Sequence, residues 1–302
     1  MKGQPFVSFV IGSWPLSGDF GPIQLEQIAE TLRACVENNL LEFDTAPNYG
    51  NGFIESCLGK ELPKNPQIKI NTKVGNRPYR GKSFATADLI ASLDESLRRL
   101  AIDRIHILFL HNPRNEIHDY EPILEMFTNL KQAGKIEQSG ISLAKHHPYP
   151  QELLTQFDVV QDDANLLDLS AIEDIHGGFR PQFMARSPLA SGILGGHINA
   201  ATQFAADDHR SGWLKGDRLK SIIKRVDQIR QLSDLPLPEL AYRFLLSHQQ
   251  IDQVIAGVRK PDHVKQLAGL QEAPPLNPQL ENSLIELWKN DFGVVDEAAL
   301  GY

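Results

Sequence analysis

Four side chains able to take part in acid–base chemistry follow short apolar stretches in the first half of the chain. Asp44 ends LLEFD, Lys73 lies near the end of IKINTKV, His111 follows IHILFL, and Tyr49 comes five residues after Asp44. Each alone has an ordinary structural role open to it, as a helix cap, a surface charge, a satisfied histidine or a packed ring. Together, at the ends of neighbouring parallel strands, they would meet on one rim of a fold.

The chemistry that such a group supports is proton transfer to a carbonyl oxygen. A phenol is a weak acid at neutral pH, with an ordinary pKa of about 10. We expect the Lys73 ammonium to lower the pKa of Tyr49, and Asp44 to keep Lys73 charged and in place. Tyr49 would then donate a proton while His111 hydrogen-bonds the same oxygen. Because no side chain supplies hydride, a nicotinamide cofactor is the expected source.

The elements that would position these residues are alternating strands and helices. Short apolar runs alternate with helix-period stretches along nearly the whole chain, which is typical of parallel β/α units. One such stretch, TADLIASLDESLRRL, is predicted to be a helix capped by Thr86, and Gly134 is predicted to end a later one. Eight runs are predicted to be buried strands: residues 7–11, 41–43, 68–74, 105–110, 136–141, 159–161, 182–185 and 254–256.

Eight β/α units in 302 residues favour an α/β fold of the (β/α)8 TIM-barrel type, with residues 1–302 as a single domain. An open doubly wound sheet is the alternative, because periodicity does not reveal strand order. In a barrel the active site is expected where the strands end and their following loops begin.

Two stretches late in the chain are candidates for binding phosphate. MARSPLASGILGG, after the seventh predicted strand, contains Ser187, Ser191 and Gly192, small residues whose backbone amides could approach a pyrophosphate. Arg259 and His263 follow the eighth predicted strand. Phosphate sites after strands seven and eight recur in barrels, although a plain surface loop and a solvated helix start would have the same composition.

Composition narrows the class of protein. With 38 acidic and 30 basic residues the formal charge is -8, so no overall positive field attracts nucleic acid. No apolar run approaches the roughly 18 residues of a membrane span, and the first residues lack a signal-peptide pattern, so we expect a cytoplasmic protein. The two cysteines, Cys35 and Cys57, are expected to be ordinary thiols, and no metal site is expected. The oligomeric state stays open.

The motifs FDTAPNYG, TKVG and LFLHNP are similar in order and spacing to the tetrad motifs of the aldo-keto reductase family, and the resemblance runs from Gly12 to about Gly269. It implies a barrel that binds an extended nicotinamide dinucleotide, with Asp44, Lys73 and His111 around Tyr49 as the proton donor. It also implies cofactor contacts for Gly12, Ser13, Trp14, Ser142, Gln161, Arg186, Ser187, Leu189, Ser191, Gly192, Gly257, Arg259 and His263.

Within that set, the resemblance assigns the carboxamide of the nicotinamide to Ser142 and Gln161, and it places Arg186 where family members stack a flat side chain on the ring. Leu143 stands where most members have asparagine. At the adenosine end, Gly257, His263 and Leu267 replace the usual lysine, arginine and asparagine. Arg259 is then the strong candidate for a clamp on a 2′-phosphate, because a guanidinium matches phosphate geometry. NADP(H) is therefore the expected cofactor, with NAD(H) also possible.

We expect NAD(P)H-dependent reduction of an aldehyde or ketone to an alcohol, with a small-molecule carbonyl or alcohol as the partner. DTAPNYGNG also resembles the branch of the family that oxidises sugars or pyridoxal, which leaves the opposite direction open. A slow or non-catalytic sensor is another alternative, since the family's resemblance extends to potassium-channel β subunits. A Schiff-base enzyme that uses Lys73 is disfavoured, because Asp44 would keep that amine protonated.

The substrate is expected to meet loops after the third and fourth predicted strands and the C-terminal segment, at residues 78–84, 111–120 and 291–302. Residues 195–213 form a long connection that could fold over the cofactor.

Overall fold

A computed structural model describes residues 8–174 and 181–294. The strands in these ranges are β1 (Ser8–Gly12), β2 (Glu42–Asp44), β3 (Lys69–Val74), β4 (Asn76–Arg77), β5 (Gly81–Lys82), β6 (Ile105–His111), β7 (Ile136–Ser142), β8 (Val159–Asp163), β9 (Gln182–Arg186) and β10 (Gln253–Gly257). Eight of them close into a parallel barrel in the order β1-β10-β9-β8-β7-β6-β3-β2, while β4 and β5 form an antiparallel hairpin. The predicted (β/α)8 barrel is confirmed, and the open sheet is excluded by this closure.

Helices follow the strands around the outside of the barrel. They are α1 (Leu25–Glu37), α2 (Phe53–Glu61), α3 (Thr86–Leu100), α4 (Glu121–Gln132), α5 (Gln151–Leu154), α6 (Ser170–Asp174), α7 (Gly216–Arg230), α8 (Leu237–Ser247), α9 (Pro261–Leu270) and α10 (Pro278–Lys289). Short 3-10 turns lie at Trp14–Leu16, Tyr49–Gly52, Ala190–Gly195, His209–Gly212 and Asp291–Gly293. Among the described residues, no helix combines the length and apolar character needed to cross a membrane.

All eight predicted strands are present, with ends that move by one or two residues. Val7, the predicted start of the first strand, lies outside the described residues. The predicted N-cap of α3 was wrong by one residue: Thr86 is already helical, and Ala85, whose extended backbone has φ -64° and ψ 131°, occupies the cap position. Gly134 has φ +72° directly after α4, a conformation that glycine adopts at no steric cost, so the predicted end of that helix is confirmed.

Both faces of the barrel strands are buried, because alternate residues point into the barrel and towards the helices. Val10, Phe109, Val159 and Met184 belong to a compact interior cluster. Phe109 lies directly opposite Gly140 in the β6–β7 register. A Cβ on Gly140 would approach the Phe109 ring to 2.3 Å, so a glycine is required for this ring to fill the interior.

Strand register brings the predicted site residues to one level. Gly12 pairs with Asp44, His111 pairs with Ser142, and Ser142 pairs with Gln161. Since all eight strands run in the same direction, their carboxyl ends form a single rim. The strand register that forms the barrel therefore also brings these polar side chains to the same rim.

Candidate active site

Lys73 is the centre of the tetrad. Its Nζ donates to Asp44 Oδ1 at 2.5 Å, to the carbonyl oxygen of Thr45 at 2.8 Å and to Tyr49 Oη at 3.3 Å. Asp44 and Lys73 retain only 4% and 1% of their accessible surface. An ammonium whose three donors are all used has one fixed position, so Lys73 is locked beside the phenol.

The loop after β2 presents Tyr49 to the rim. It turns through Gly50 and Asn51, which have φ of +57° and +53°. The Tyr49 ring stands perpendicular to that of His111, with 6.2 Å between centroids. His111 is buried, and its Nδ1 has no hydrogen-bond partner among the described residues. Tyr49, Lys73, Asp44 and His111 are therefore brought together at the rim, where the sequence placed them.

The pKa of Tyr49 is shifted in the opposite direction from the one predicted. Burial raises the pKa of Tyr49 by more than the neighbouring Lys73 lowers it, so the predicted net lowering was wrong. Burial also lowers the pKa of Lys73, but Asp44 and then Tyr49 raise it further, leaving it above its ordinary value. Burial, followed by the charges of Lys73 and Arg186, holds the pKa of His111 well below its ordinary value. At neutral pH the site thus contains a protonated phenol, a charged ammonium and a neutral imidazole.

A hydrogen-bond chain extends from the tetrad to the end of β9. Gln161 Nε2 donates to Asp44 Oδ2 at 3.1 Å, and Ser142 Oγ donates to Gln161 Oε1 at 3.0 Å. Arg186 Nη1 in turn donates to Ser142 Oγ at 2.6 Å. The three residues that the family resemblance assigns to the nicotinamide are therefore connected to one another and to the tetrad.

Two hydrogen-bond partners of Arg186 were not predicted from the sequence. Asn112 Oδ1 accepts from Arg186 Nη1 at 3.2 Å, and Asp163 Oδ1 accepts from Arg186 Nε at 2.9 Å. Asp163 ends β8 in direct register with Arg186. The signal that could have found it is the acidic pair in VVQDDAN, because two carboxylates at a buried strand end need a cation nearby.

The loop after β9 has the backbone shape of an anion cradle. Ser187, Ala190, Ser191 and Gly192 all have positive φ, between +52° and +90°. Backbone turned in this way directs amide groups into a concavity, and left-handed non-glycine residues concentrate at functional sites. Leu189 lies within the same turn, half-buried. The assignment of this loop to the phosphates of a dinucleotide stays a prediction, and the positive φ values are compatible with it.

The connection at residues 195–213 contacts this loop, and its predicted position over a cofactor stays a prediction. Arg210 Nη1 donates to the carbonyl oxygen of Ser191 at 3.2 Å, and Arg210 Nη2 donates to Asp208 Oδ2 at 2.6 Å. Asp208 also forms an antiparallel bridge with Phe20 in the loop after β1. The connection therefore links the loops after β1 and β9.

The residues after β1 lie next to the tetrad. Gly12 closes the barrel between β2 and β10, and Ser13 Oγ donates to the carbonyl oxygen of Asp44 at 2.9 Å. Trp14 Nε1 donates to Asp19 Oδ2 at 2.6 Å, and the indole stacks on Tyr49 with 6.1 Å between centroids. Ser13 is thus hydrogen-bonded to the tetrad residue Asp44, while the Trp14 ring lies against Tyr49.

The predicted adenosine end lies after β10. A Cβ on Gly257 would meet Pro15 at 2.9 Å, so the glycine lets the β1 loop approach. Arg259 donates to the carbonyl oxygens of Pro15, Gly21 and Pro22 at 2.7 to 2.9 Å, which anchors this loop to the end of β10. His263 lies in the first turn of α9; burial and then Lys260 hold its pKa below the ordinary value.

The other sequence expectations concern the surroundings of the site. The predicted substrate loops border two surface cavities of about 390 and 430 Å³: Arg114 and Tyr120 line the smaller, Arg77 and Arg80 the larger. Of the predicted C-terminal wall, residues 295–302 lie outside the described residues. Cys35 and Cys57 are buried free thiols, as expected. Within residues 8–174 and 181–294, no group of three or more histidine, cysteine or acidic residues could hold a metal ion.

A closed parallel barrel with this tetrad at its carboxyl rim defines a (β/α)8 oxidoreductase. Residues 8–288 match the model of the aldo/keto reductase family, and the chain belongs to that family. Its fold is one that binds nicotinamide cofactors.

Similar proteins agree with this assignment. The chain is 25% identical to the aldo-keto reductase YhdN of Bacillus subtilis, over 91% of this chain and 90% of the relative. It is also 25% identical to a putative voltage-gated potassium channel subunit beta of Schizosaccharomyces pombe, over 95% and 91% of the two chains. The structure of the glycerol dehydrogenase AKR11B4 from Gluconobacter oxydans superposes with a TM-score of 0.78 at 22% identity, covering 98% of this chain and 95% of that one, which is a likeness of fold.

Proposed function

We propose that this protein transfers hydride between NADP(H) and the carbonyl or carbinol carbon of a small molecule, with reduction of an aldehyde or ketone as the main direction. One observation carries the proposal: a single buried ammonium, on Lys73, bonds both to the Asp44 carboxylate and to the Tyr49 hydroxyl. A paired lysine beside a buried phenol has little structural value, since burying these groups costs free energy. It is well suited to moving a proton.

The proton step follows from the charge states. Tyr49 keeps its proton at neutral pH because burial raises its pKa, so the phenol can serve as the donor to a carbonyl oxygen. The phenolate left behind is stabilised by Lys73, whose own charge Asp44 maintains. His111, being neutral and unpaired within the described residues, can hydrogen-bond the same oxygen without competing for the proton.

A bound nicotinamide would supply the hydride. The residues that would hold it are Ser142, Gln161 and Arg186 at the ring, with Gly12, Ser13 and Trp14 beside them. The phosphates would be held by Ser187, Leu189, Ser191 and Gly192, and the adenosine end by Gly257, Arg259 and His263. The left-handed turn from Ala190 to Gly192 supports the phosphate assignment, because such a turn suits an anion.

The preference for NADP(H) is supported by positive charge around the first turn of α9. Arg259 and Lys260 lie there together, and a helix N-terminus adds a favourable dipole for a phosphate group. Since the donors of Arg259 already hold the β1 loop, its contribution would be charge and loop position as much as direct contact.

The experiment follows nicotinamide absorbance with NADPH and NADH against aldehydes and ketones, and with NADP⁺ and NAD⁺ against polyols, sugars and pyridoxine. Repeated turnover faster with NADPH than with NADH supports the proposal. Turnover only in the oxidising direction would replace reduction by the oxidation of a sugar or pyridoxal-like alcohol. Absence of binding to all four nucleotides would overturn the proposal.

A cofactor-binding sensor is the second candidate, favoured by the similarity to the potassium channel subunit beta over 95% of this chain. Such a protein would bind the dinucleotide tightly and show at most slow turnover on every substrate tested. The same experiment therefore separates the two functions, provided that nucleotide affinity is measured alongside the rate.

A further inference from the structure

Arg186 has an acidic partner in the neighbouring strand. Asp163 accepts from Arg186 Nε at 2.9 Å and from Nη2 at 3.5 Å. The two side chains are mostly buried, with 17% of Arg186 and 14% of Asp163 exposed. Burial raises the pKa of Asp163, but the charge of Arg186 and hydrogen bonds from Arg186 and Ser187 outweigh it, so its pKa lies below the ordinary value. The pair is therefore fully ionised at neutral pH.

The guanidinium edge of Arg186 is completely engaged by the protein. Besides Asp163, Nη1 donates to Ser142 Oγ and Asn112 Oδ1, and Nη2 donates to the carbonyl oxygen of Leu143 at 2.7 Å. All three nitrogens thus have hydrogen-bond partners within the protein. Only the flat faces are left for a ligand, which permits stacking on a ring and leaves no donor for a hydrogen bond to it.

Further charges surround this pair. Asp162 Oδ1 lies 3.8 Å from Arg186 Nη2, and Lys145 Nζ lies 3.7 Å from Asp168 Oδ2. The charge of Asp168 acts to raise the pKa of Asp162, and the charge of Lys145 acts to lower the pKa of Asp163. With every group ionised, the charges of Asp162, Asp163 and Asp168 offset those of Arg186 and Lys145, and Arg218 adds a positive charge that acts on Lys145.

The two redox states of a nicotinamide respond differently to such a cluster. The oxidised ring carries a positive charge, whereas the reduced ring is neutral. A cation stacked against the ring therefore weakens binding of the oxidised form alone, and a nearby carboxylate strengthens it. The balance between Arg186 and its acidic partners would set the ratio of the two affinities.

We propose that Asp163 is a positioning residue that fixes the face of Arg186 and compensates its charge, and thereby sets the relative affinity of the site for oxidised and reduced dinucleotide, with Asp162 adding to the effect. The inference rests on the proposed function, because it requires the nicotinamide to lie at Arg186. It concerns a property of the site that is independent of the substrate.

The test is Asp163→Asn, with dissociation constants for NADP⁺ and NADPH measured separately by titration at low salt. We expect the ratio of the NADP⁺ constant to the NADPH constant to rise by about tenfold, the effect of removing one charge at the intermediate effective dielectric of a protein site. The matched control is Asp94→Asn, which breaks an ion pair between α3 and Lys135, the residue just before β7, and should leave the ratio unchanged.

A double variant isolates the charge effect. Removing both charges in Asp163→Asn with Arg186→Met should return the ratio to within about threefold of its wild-type value, because the cation and its compensation disappear together. Equal weakening of both nucleotides in Asp163→Asn would show a purely structural role for the carboxylate and overturn the inference. An unchanged ratio would do the same. If the wild-type protein binds neither nucleotide, the proposed function itself fails, and this inference with it.

Discussion

Replacing Asp162 by asparagine should stabilise the protein at neutral pH. Burial raises the pKa of Asp162 from an ordinary 3.8 to about 6; the carboxylate of Asp163 adds to this rise, and Arg186 opposes it. Because the folded state binds the proton more tightly than the unfolded chain, the group's contribution to stability is fully present below about pH 4. That contribution is lost as the pH rises through about 6.

The magnitude follows from the shift. A shift from 3.8 to about 6 is worth about 3 kcal/mol at about 1.4 kcal/mol per unit, and the 24% of the side chain that is exposed reduces this by solvent screening to about 2 kcal/mol. Asparagine keeps an oxygen that can accept from the backbone NH of Asp163, as Asp162 does at 2.7 Å. Asp162→Asn should therefore be more stable than the wild type by about 2 kcal/mol at about pH 8, with the difference vanishing near pH 4.

The assay is urea unfolding at several pH values, and Asp158→Asn provides a control of opposite sign. Burial raises the pKa of Asp158, but Lys131 and Ser139 lower it further, so its folded-state pKa lies below the ordinary value. Its contribution to stability is present above the unfolded-state pKa and is lost as the pH falls, and Asp158→Asn should destabilise at neutral pH. A variant Asp162→Asn that is no more stable than the wild type above pH 7, or whose advantage persists at pH 4, would show that burial does not raise the pKa of Asp162.

Three further expectations concern the packing of the barrel, the nucleotide preference and the proton step. Gly140→Ala should lower the free energy of unfolding by about 1–3 kcal/mol, because the new Cβ would overlap the Phe109 ring. The control is Gly269→Ala, since Gly269 has open space around it. Equal effects of the two substitutions would contradict this packing. Arg259→Ala should weaken binding of NADPH more than that of NADH in parallel titrations, and equal losses would remove Arg259 as the source of the preference. The kcat of carbonyl reduction at saturating cofactor should be flat from about pH 7 to about pH 9, since Tyr49 stays protonated and His111 stays neutral; a titration inside this range would contradict those charge states.

Most of the barrel could be predicted because its strands are continuous apolar runs separated by helix-period stretches, a local signal that survives without knowledge of tertiary contacts. The tetrad could be predicted equally well, since Asp44, Lys73 and His111 each end or nearly end a strand. The β4–β5 hairpin, formed by two strands of two residues each, carries no such periodicity and was not predicted.

What the sequence could not provide depends on side-chain geometry and burial. The partnership of Asp163 with Arg186 requires the register of β8 against β9, and the contacts of Arg259 require the path of the β1 loop. The net direction of the Tyr49 pKa shift depends on whether burial or the attraction of Lys73 is larger. Atomic positions decide which of these two effects is larger, and residue types alone predicted a lowered pKa instead of a raised one.

The most direct test of the central claim compares Tyr49→Phe with Tyr242→Phe. Tyr242 is a buried tyrosine on α8 that packs against Phe9 of β1, outside the predicted substrate loops, so its variant serves as a matched control. Single-turnover reduction of an accepted aldehyde by prebound NADPH should slow by about 100- to 10,000-fold in Tyr49→Phe, with cofactor affinity retained, because the variant keeps the ring and loses only the acidic proton. Tyr242→Phe should react at the wild-type rate. Undiminished reduction by Tyr49→Phe would contradict the account, since the proton would then come from elsewhere.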